Sequence, residues 1–311
     1  MYTENELEEA TLDWLKELGY TTRFGPRIGP DGIYPQRDNY EEVVLNNILK
    51  TSLQKINPDI SNKYINKAIR KLILTEKPSL EETNQAFHKM VTDGIYVSTD
   101  REDNLPKNIP VWLFDFDNPD NNDWLAVNQY TVIEHDHNRR PDVVVFVNGL
   151  PLVVFELKSS SDEKATLEKA YNQLQTYKNE ISILFKYNAN LVISDGLTAR
   201  VGTITSNKER FMPWKTIEGN EIAPKTRPQL EVLIKGIFKK ERFLDLLQHF
   251  ILFQTDSSKT DKIFPAYHQY YAVNKAYDKT QFAVENESDN QIGVIWHTQG
   301  SGKSILMVFY S

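Results

Sequence analysis

The chain has no cysteine among its 311 residues. Disulfides and thiolate metal sites are therefore excluded, and the composition suits a cytoplasmic protein. No apolar run approaches the ~18 residues that a membrane span requires, so no membrane role is expected. The opening "MYTENELEEA" is acidic and does not read as a signal peptide. Positive charge is not in excess either: 36 Lys and Arg stand against 43 Asp and Glu, for a net charge of −7. A general attraction to DNA is not expected from that balance, and any DNA contact needs a local basic patch. Internal repeats and low-complexity tracts are absent. What is present is 40% hydrophobic residues with 11% aromatics, the content of a packed globular protein. The length allows two domains, or one large domain with an attachment.

Periodicity places the elements. "NELEEATLDWLKELGY" predicts an amphipathic helix with Leu7, Thr11, Trp14, Leu15 and Leu18 at helical spacing and Gly19 at its C-terminal cap. "FGPRIGPDGIYPQRDN" reads as a loop. Helical patterns return in "YEEVVLNNILKTSLQKI", "NKYINKAIRKLIL" and "SLEETNQAFHKMVTDG". Strands follow in "IPVWLFDF", "WLAVNQYTVIE" and "RRPDVVVFVNGLPLVVFELKSS". A helix over "DEKATLEKAYNQLQTYKNEI" precedes strands in "ANLVISDG" and "ARVGTITS". Helices before and after strands imply an α/β domain on a mixed sheet. A polar boundary, "GNEIAPKTRPQ", precedes the helical "LEVLIKGIFKKERFLDLLQHFILFQ". Beyond "DSSKTDK", "FPAYHQYYAVNKAYDK" reads as helix and "IGVIWHTQGSGKSILMVFYS" as strand, glycine loop and helix start.

The segment 139–160 carries the chemistry. "NG" between apolar runs is a strong hairpin signal. In a strict two-residue hairpin Asp142 pairs with Phe155, and Glu156 faces the other way. A single bulge next to Pro151 shifts the register and sets Asp142 opposite Glu156. Opposed carboxylates repel unless positive charge lies between them. Lys158, two residues beyond Glu156, shares its face of the strand. Two carboxylates and an ammonium at one hairpin end suit Mg²⁺ and phosphodiester hydrolysis. The bland alternative is a solvated strand end.

At these residues the sequence resembles the PD-(D/E)xK nuclease core of the restriction (R, or motor) subunit of type I restriction enzymes. The likeness includes "RRPD", the "NGLP" turn and "ELK". It implies metal ligands at Asp142 and Glu156 and a catalytic lysine at Lys158. It also implies a supporting glutamate on the first helix, placed on Glu8 with Glu9 as competitor. A Q-x-x-x-Y element falls on Gln173 and Tyr177, which share a helix face at i, i+4.

The terminal "HTQGSGKS" lies between apolar flanks. Gly300 and Gly302 allow the backbone N–H groups to point at phosphate, with Ser301 between them. Lys303 is expected to reach the β- and γ-phosphates and Ser304 to hold Mg²⁺. His297 stands where the full P-loop pattern has glycine, a departure usual in superfamily 2 helicases. Upstream, "FPAYHQYYAVNKA" resembles their Q motif, with Gln269 at the adenine edge.

These readings imply a PD-(D/E)xK endonuclease domain over 1–225, a helical connector over 226–260, and the start of a RecA-like helicase domain over 261–311. The resemblance implies an ATP- and Mg²⁺-dependent endonuclease subunit acting on double-stranded DNA, joined to modification (methyltransferase) and specificity subunits. A truncated motor is expected, with little or no ATPase of its own. Two rival readings are a non-catalytic nuclease-like docking module of a helicase and a helicase–nuclease outside restriction.

Overall fold

The two apolar runs around "NG" become the middle of a six-stranded mixed sheet. The structure, a computed structural model, describes residues 3–100, 106–159, 167–256, 259–285, 293–295 and 302–311. The chain begins with α1 (Glu4–Glu17), β1 (Thr21–Phe24), α2 (Gly25–Ile28) and the helices α3 (Asn46–Ile56), α4 (Asn62–Leu74) and α5 (Leu80–Asp93). Strands β2 (Ile95–Ser98), β3 (Asn108–Val111), β4 (Trp124–Asn128), β5 (Val132–Glu134) and β6 (His137–Arg139) lead to β7 (Val143–Val147) and β8 (Leu150–Leu157). Next come α6 (Leu167–Glu180), β9 (Asn190–Ser194) and β10 (Ala199–Gly202). Helices α7 (Gln229–Ile237) and α8 (Lys240–His249), the hairpin β11 (Leu252–Asp256) and β12 (Lys259–Ile263), and helices α9 (Tyr267–Glu285) and α10 (Lys303–Tyr310) complete it.

The sheet runs β1-β4-β7-β8-β9-β10. Its β1/β4 and β8/β9 pairs are parallel and the others antiparallel. Both central strands are buried along their whole length, which is why they read as continuous rather than alternating apolar runs. Phe155 points at Phe238, 5.6 Å away between ring centroids, on the face covered by α7 and α8. Its neighbour Glu156 points to the opposite face by the period of two, towards α6.

Helix α1 is fixed at its start by a capping box: Thr3 Oγ1 accepts from Glu6 N–H at 3.2 Å, and Glu6 accepts from Thr3 N–H at 2.7 Å. Gly19, at φ +85°, lets the chain leave the helix as expected. Leu7 and Leu15 are buried, each contributing about 1.5–3 kcal/mol by leaving water. Among the described residues no helix is long and apolar enough to cross a membrane.

Several boundaries differ from the sequence reading. The third helix starts at Asn46 rather than near Tyr40, because Val43–Leu45 are buried under the hairpin turn and Leu45 N–H donates to Gly149 O at 2.9 Å. The expected glycine–proline loop holds a four-residue helix with Pro26 in its first turn. "WLAVNQYTVIE" is not one strand: it breaks at Gln129, whose φ is +57°. The helical stretch that was expected to run to Gln254 ends at His249, and Leu252–Asp256 pairs with β12 instead. A partner strand two residues downstream outweighs the local helical pattern. Of the strand expected over "IGVIW", residues 293–295 carry none, and Ile292 and Trp296 lie outside the described residues.

Candidate active site

The hairpin register decides which side chains meet. Val147 pairs with Leu150 and Phe146 with Pro151, around the left-handed pair Asn148 and Gly149 at φ +52° and +78°. Past this point Val145 pairs with Val153, leaving Leu152 as one extra residue on β8. The expected bulge is therefore beside Pro151. Its carbonyl is not wasted: Ala189 N–H donates to Leu152 O at 2.6 Å. From Val143 opposite Phe155, one more step sets Asp142 opposite Glu156.

Glu156 is 1% exposed and Asp142 half-buried. The Leu157 N–H donates to Asp142 Oδ2 at 2.6 Å, tying that carboxylate to the facing strand. Lys158 Nζ donates to Glu156 Oε1 at 2.6 Å and lies 3.8 Å from Glu4 Oε1 on α1. Burial first, then the charge of Glu156, pushes Asp142 well above the usual carboxylate range. Burial likewise raises Glu156, against the pull of Lys158. Burial works to lower the Lys158 ammonium, but Glu156, Asp142 and Glu4 outweigh it, and its pKa stays above the ordinary value. Lys158 is thus a proton donor as it stands.

Helix α6 brings in Gln173 and Tyr177. The Tyr177 hydroxyl faces Glu156 and favours its charged form, and Gln173 favours the charged form of Tyr177 in turn. Glu156 Oε2 still lacks a closed hydrogen bond although it is buried. The first helix brings in Glu8, which is 5% exposed. Gln129 Nε2 donates to Glu8 Oε1 at 2.6 Å and Asn128 Nδ2 to Glu8 Oε2 at 3.2 Å. Burial raises the Glu8 pKa, and these two amides oppose the rise. Glu9, its competitor in the sequence, is exposed and accepts from Asn5 Nδ2 at 3.0 Å. Asn128, Gln129 and Glu4 are residues that sequence reasoning missed. The one signal was a polar "NQ" closing an apolar strand.

The donor set fits a hard divalent cation. Mg²⁺ takes one or two carboxylates and keeps several waters. The unpartnered, buried Glu156 Oε2 supplies the lone pair that such an ion needs. Among the described residues no three His, Cys, Asp or Glu side chains converge into a ready ligand cage. An ion here would retain water.

A second cluster lies at α9 and α10. Gln269 is buried; its Oε1 accepts from Ala266 N–H at 2.9 Å, and its Nε2 donates to Gly302 O at 3.2 Å. Gly302 adopts φ +76° and caps α10. Lys303 and Ser304 open that helix and are exposed. Gly300 and Ser301 lie outside the described residues, as does His297. A cavity of 240 Å³ is lined by Phe264, Pro265, Ala266 and Ile305, and from the sheet unit by Arg210 and Trp214.

Comparison with known proteins gives a family. Residues 1–210 match the family described as type I restriction enzyme R protein N terminus, and residues 268–311 match the SWI2/SNF2 ATPase family. The chain is 39% identical, over its whole length and 30% of the relative, to the type I restriction enzyme HindI endonuclease subunit of Haemophilus influenzae. It is 33% identical, over 98% of its length and 30% of the relative, to the putative type I restriction enzyme MjaIXP endonuclease subunit of Methanocaldococcus jannaschii. The chain thus spans about 30% of the length of these curated relatives.

Proposed function

From the premise that the chain belongs to the family of type I restriction enzyme R proteins, we propose that its sheet unit is a PD-(D/E)xK endonuclease domain that hydrolyses DNA phosphodiesters with Mg²⁺. The observation that carries this reading is the opposed pair Asp142 and Glu156, with the Lys158 ammonium 2.6 Å from one of them. Asp142 and Glu156 would hold the ion. When bound, it supplies Lewis-acid chemistry, acidifying water and offsetting charge on a phosphoryl oxygen.

The chain's own residues do the rest. Burial and mutual repulsion destabilise the two carboxylates when both are charged, so a cation is drawn in by relief of that repulsion. Lys158 keeps its proton, so its part is to orient the attacking water and steady the negative charge growing on the phosphate. Tyr177 and Gln173 hold Glu156 at its angle. Glu8 supports the pair from the first helix, its charge felt at Asp142.

The reading extends to the intact protein, for which α9 and α10 begin a RecA-like motor. There Gln269 reads the adenine edge, the glycine loop with Lys303 receives the phosphates, and Ser304 takes the Mg²⁺ that accompanies ATP. The intact protein works in the cytoplasm with modification and specificity subunits, draws double-stranded DNA past itself with ATP, and cuts. The test uses the full-length subunit in its complex. Alanine at Asp142, Glu156 or Lys158 abolishes cleavage and leaves ATP hydrolysis and translocation intact. Cleavage retained by Asp142→Ala refutes the assignment.

A further inference from the structure

Strand β4 ends in an abrupt kink beside the carboxylate site. Its ladder with β7 stops at Asn128 opposite Val143, and Gln129 then turns left-handed at φ +57°. A long side chain adopts that conformation only where its surroundings enforce it. One contact holds the turn here, and another makes room for it. Gln129 N–H donates to Asp142 O at 2.9 Å. Gly25 packs against the kink so closely that a Cβ on it would lie 2.3 Å from Gln129 O. The kink has a consequence for the side chains. In a continued strand, Asn128 and Gln129 would project to opposite faces. Instead both amides meet one carboxylate, at 3.2 Å and 2.6 Å from the two oxygens of Glu8.

We propose that Asn128 and Gln129 are positioning residues that aim Glu8 at the cation site, and that the left-handed kink at Gln129 exists to bring their two amides onto that one carboxylate. The inference rests on the reading of Asp142 and Glu156 as cation ligands. Gln129 joins two carboxylate-bearing residues by different groups: its backbone N–H holds the Asp142 peptide, and its side chain holds Glu8. Movement of one is therefore felt at the other. The choice of amides is chemically apt. A lysine or arginine would orient Glu8 equally well, but its charge would repel the incoming cation. An amide orients without charge and leaves Glu8 lone pairs open to a coordinated water.

The experiment titrates the 311-residue chain with Mn²⁺, followed by its electron paramagnetic resonance signal, alongside thermal melting. Gln129→Gly keeps the left-handed turn and removes the side-chain amide. It should weaken Mn²⁺ binding about tenfold, the loss typical for a residue that orients a ligand, with the melting midpoint held or raised. Glu8→Gln should weaken binding similarly, and Gln129→Gly added to Glu8→Gln should weaken it no further. If Gln129→Gly melts early, Gln129→Asn serves in its place, since asparagine tolerates the turn but is too short to reach Glu8. Wild-type affinity in these variants, or losses that add in the double variant, overturns the proposal. A wild-type chain that binds no Mn²⁺, or binds it undiminished after Asp142→Ala, overturns the cation reading itself and this inference with it.

Discussion

Asp142 stands opposite Glu156 because Leu152 is an extra residue on β8. Without it, Asp142 would face Phe155 and the two carboxylates would lie on opposite sides of the sheet. One inserted residue thus converts an ordinary buried hairpin into a paired acid site. The cost of opposing these two carboxylates is offset by the Leu157 N–H and by Lys158, and the Tyr177 hydroxyl favours the charged form of Glu156.

Tyr177→Phe should separate positioning from packing. The ring stays on the sheet, but the hydroxyl that faces Glu156 is gone. Cation affinity is expected to fall about tenfold, as for other loss of ligand support, while the melting midpoint stays close to wild type. Calorimetric titration with Mn²⁺ measures the first and a thermal scan the second. Unchanged affinity means that Tyr177 serves only the core.

The turn that sets the register should resist substitution. Gly149 has φ +78°, and a Cβ there would lie 2.6 Å from Leu45 O. Gly149→Ala is expected to cost about 1–2 kcal/mol from backbone conformation alone, with the clash in addition. Urea unfolding reports it. A variant as stable as wild type would show that the turn relaxes freely.

Stability should rise with pH on the alkaline side because of Lys262. This buried side chain donates to Asn84 Oδ1 at 2.9 Å and Asn188 O at 2.5 Å, and burial lowers its pKa to about 7. Unfolded, it keeps its proton to about pH 10.4. Between the two values the unfolded chain binds more protons, so unfolding free energy rises by about 1.4 kcal/mol per pH unit. Lys262→Met should flatten the rise between pH 8 and 9.5 in urea titrations. A slope that persists in the variant assigns it to other groups.

The nucleotide reading is tested at Gly302. Alanine there meets a left-handed φ of +76° and places its methyl 2.5 Å from Gln269 Nε2. Gly302→Ala in the full-length subunit is expected to abolish binding of a fluorescent ATP analogue, while the hairpin variants leave it intact. Binding at wild-type strength would remove the glycine loop from the proposal.

Much of this site was legible in the sequence, for local reasons. "NG" fixes a turn, Pro151 disfavours a regular ladder beside it, and charged residues closing fully apolar strands need a purpose. Asp142, Glu156 and Lys158 therefore fell together on paper. Gln129 did not, because its left-handed backbone is held by the Asp142 carbonyl and accommodated by Gly25, neither of which is a sequence neighbour. Strands β2 and β11 were missed for the same kind of reason. Each is four or five residues long and exists only through its partner, β3 or β12. Helix α7 read as part of a connector, yet it buries Leu230, Leu233, Ile234 and Ile237, a tertiary fact with no local signature.

The central claim is that the bulged hairpin presents Asp142 and Glu156 as a pair able to hold a cation. A crystal of this chain soaked in Mn²⁺, with anomalous diffraction recorded, tests it most directly. One peak is expected about 2.0–2.6 Å from an oxygen of each carboxylate, the range of hard divalent ions, with Lys158 drawn off Glu156. A peak elsewhere, or none while Lys158 stays on Glu156, would contradict it.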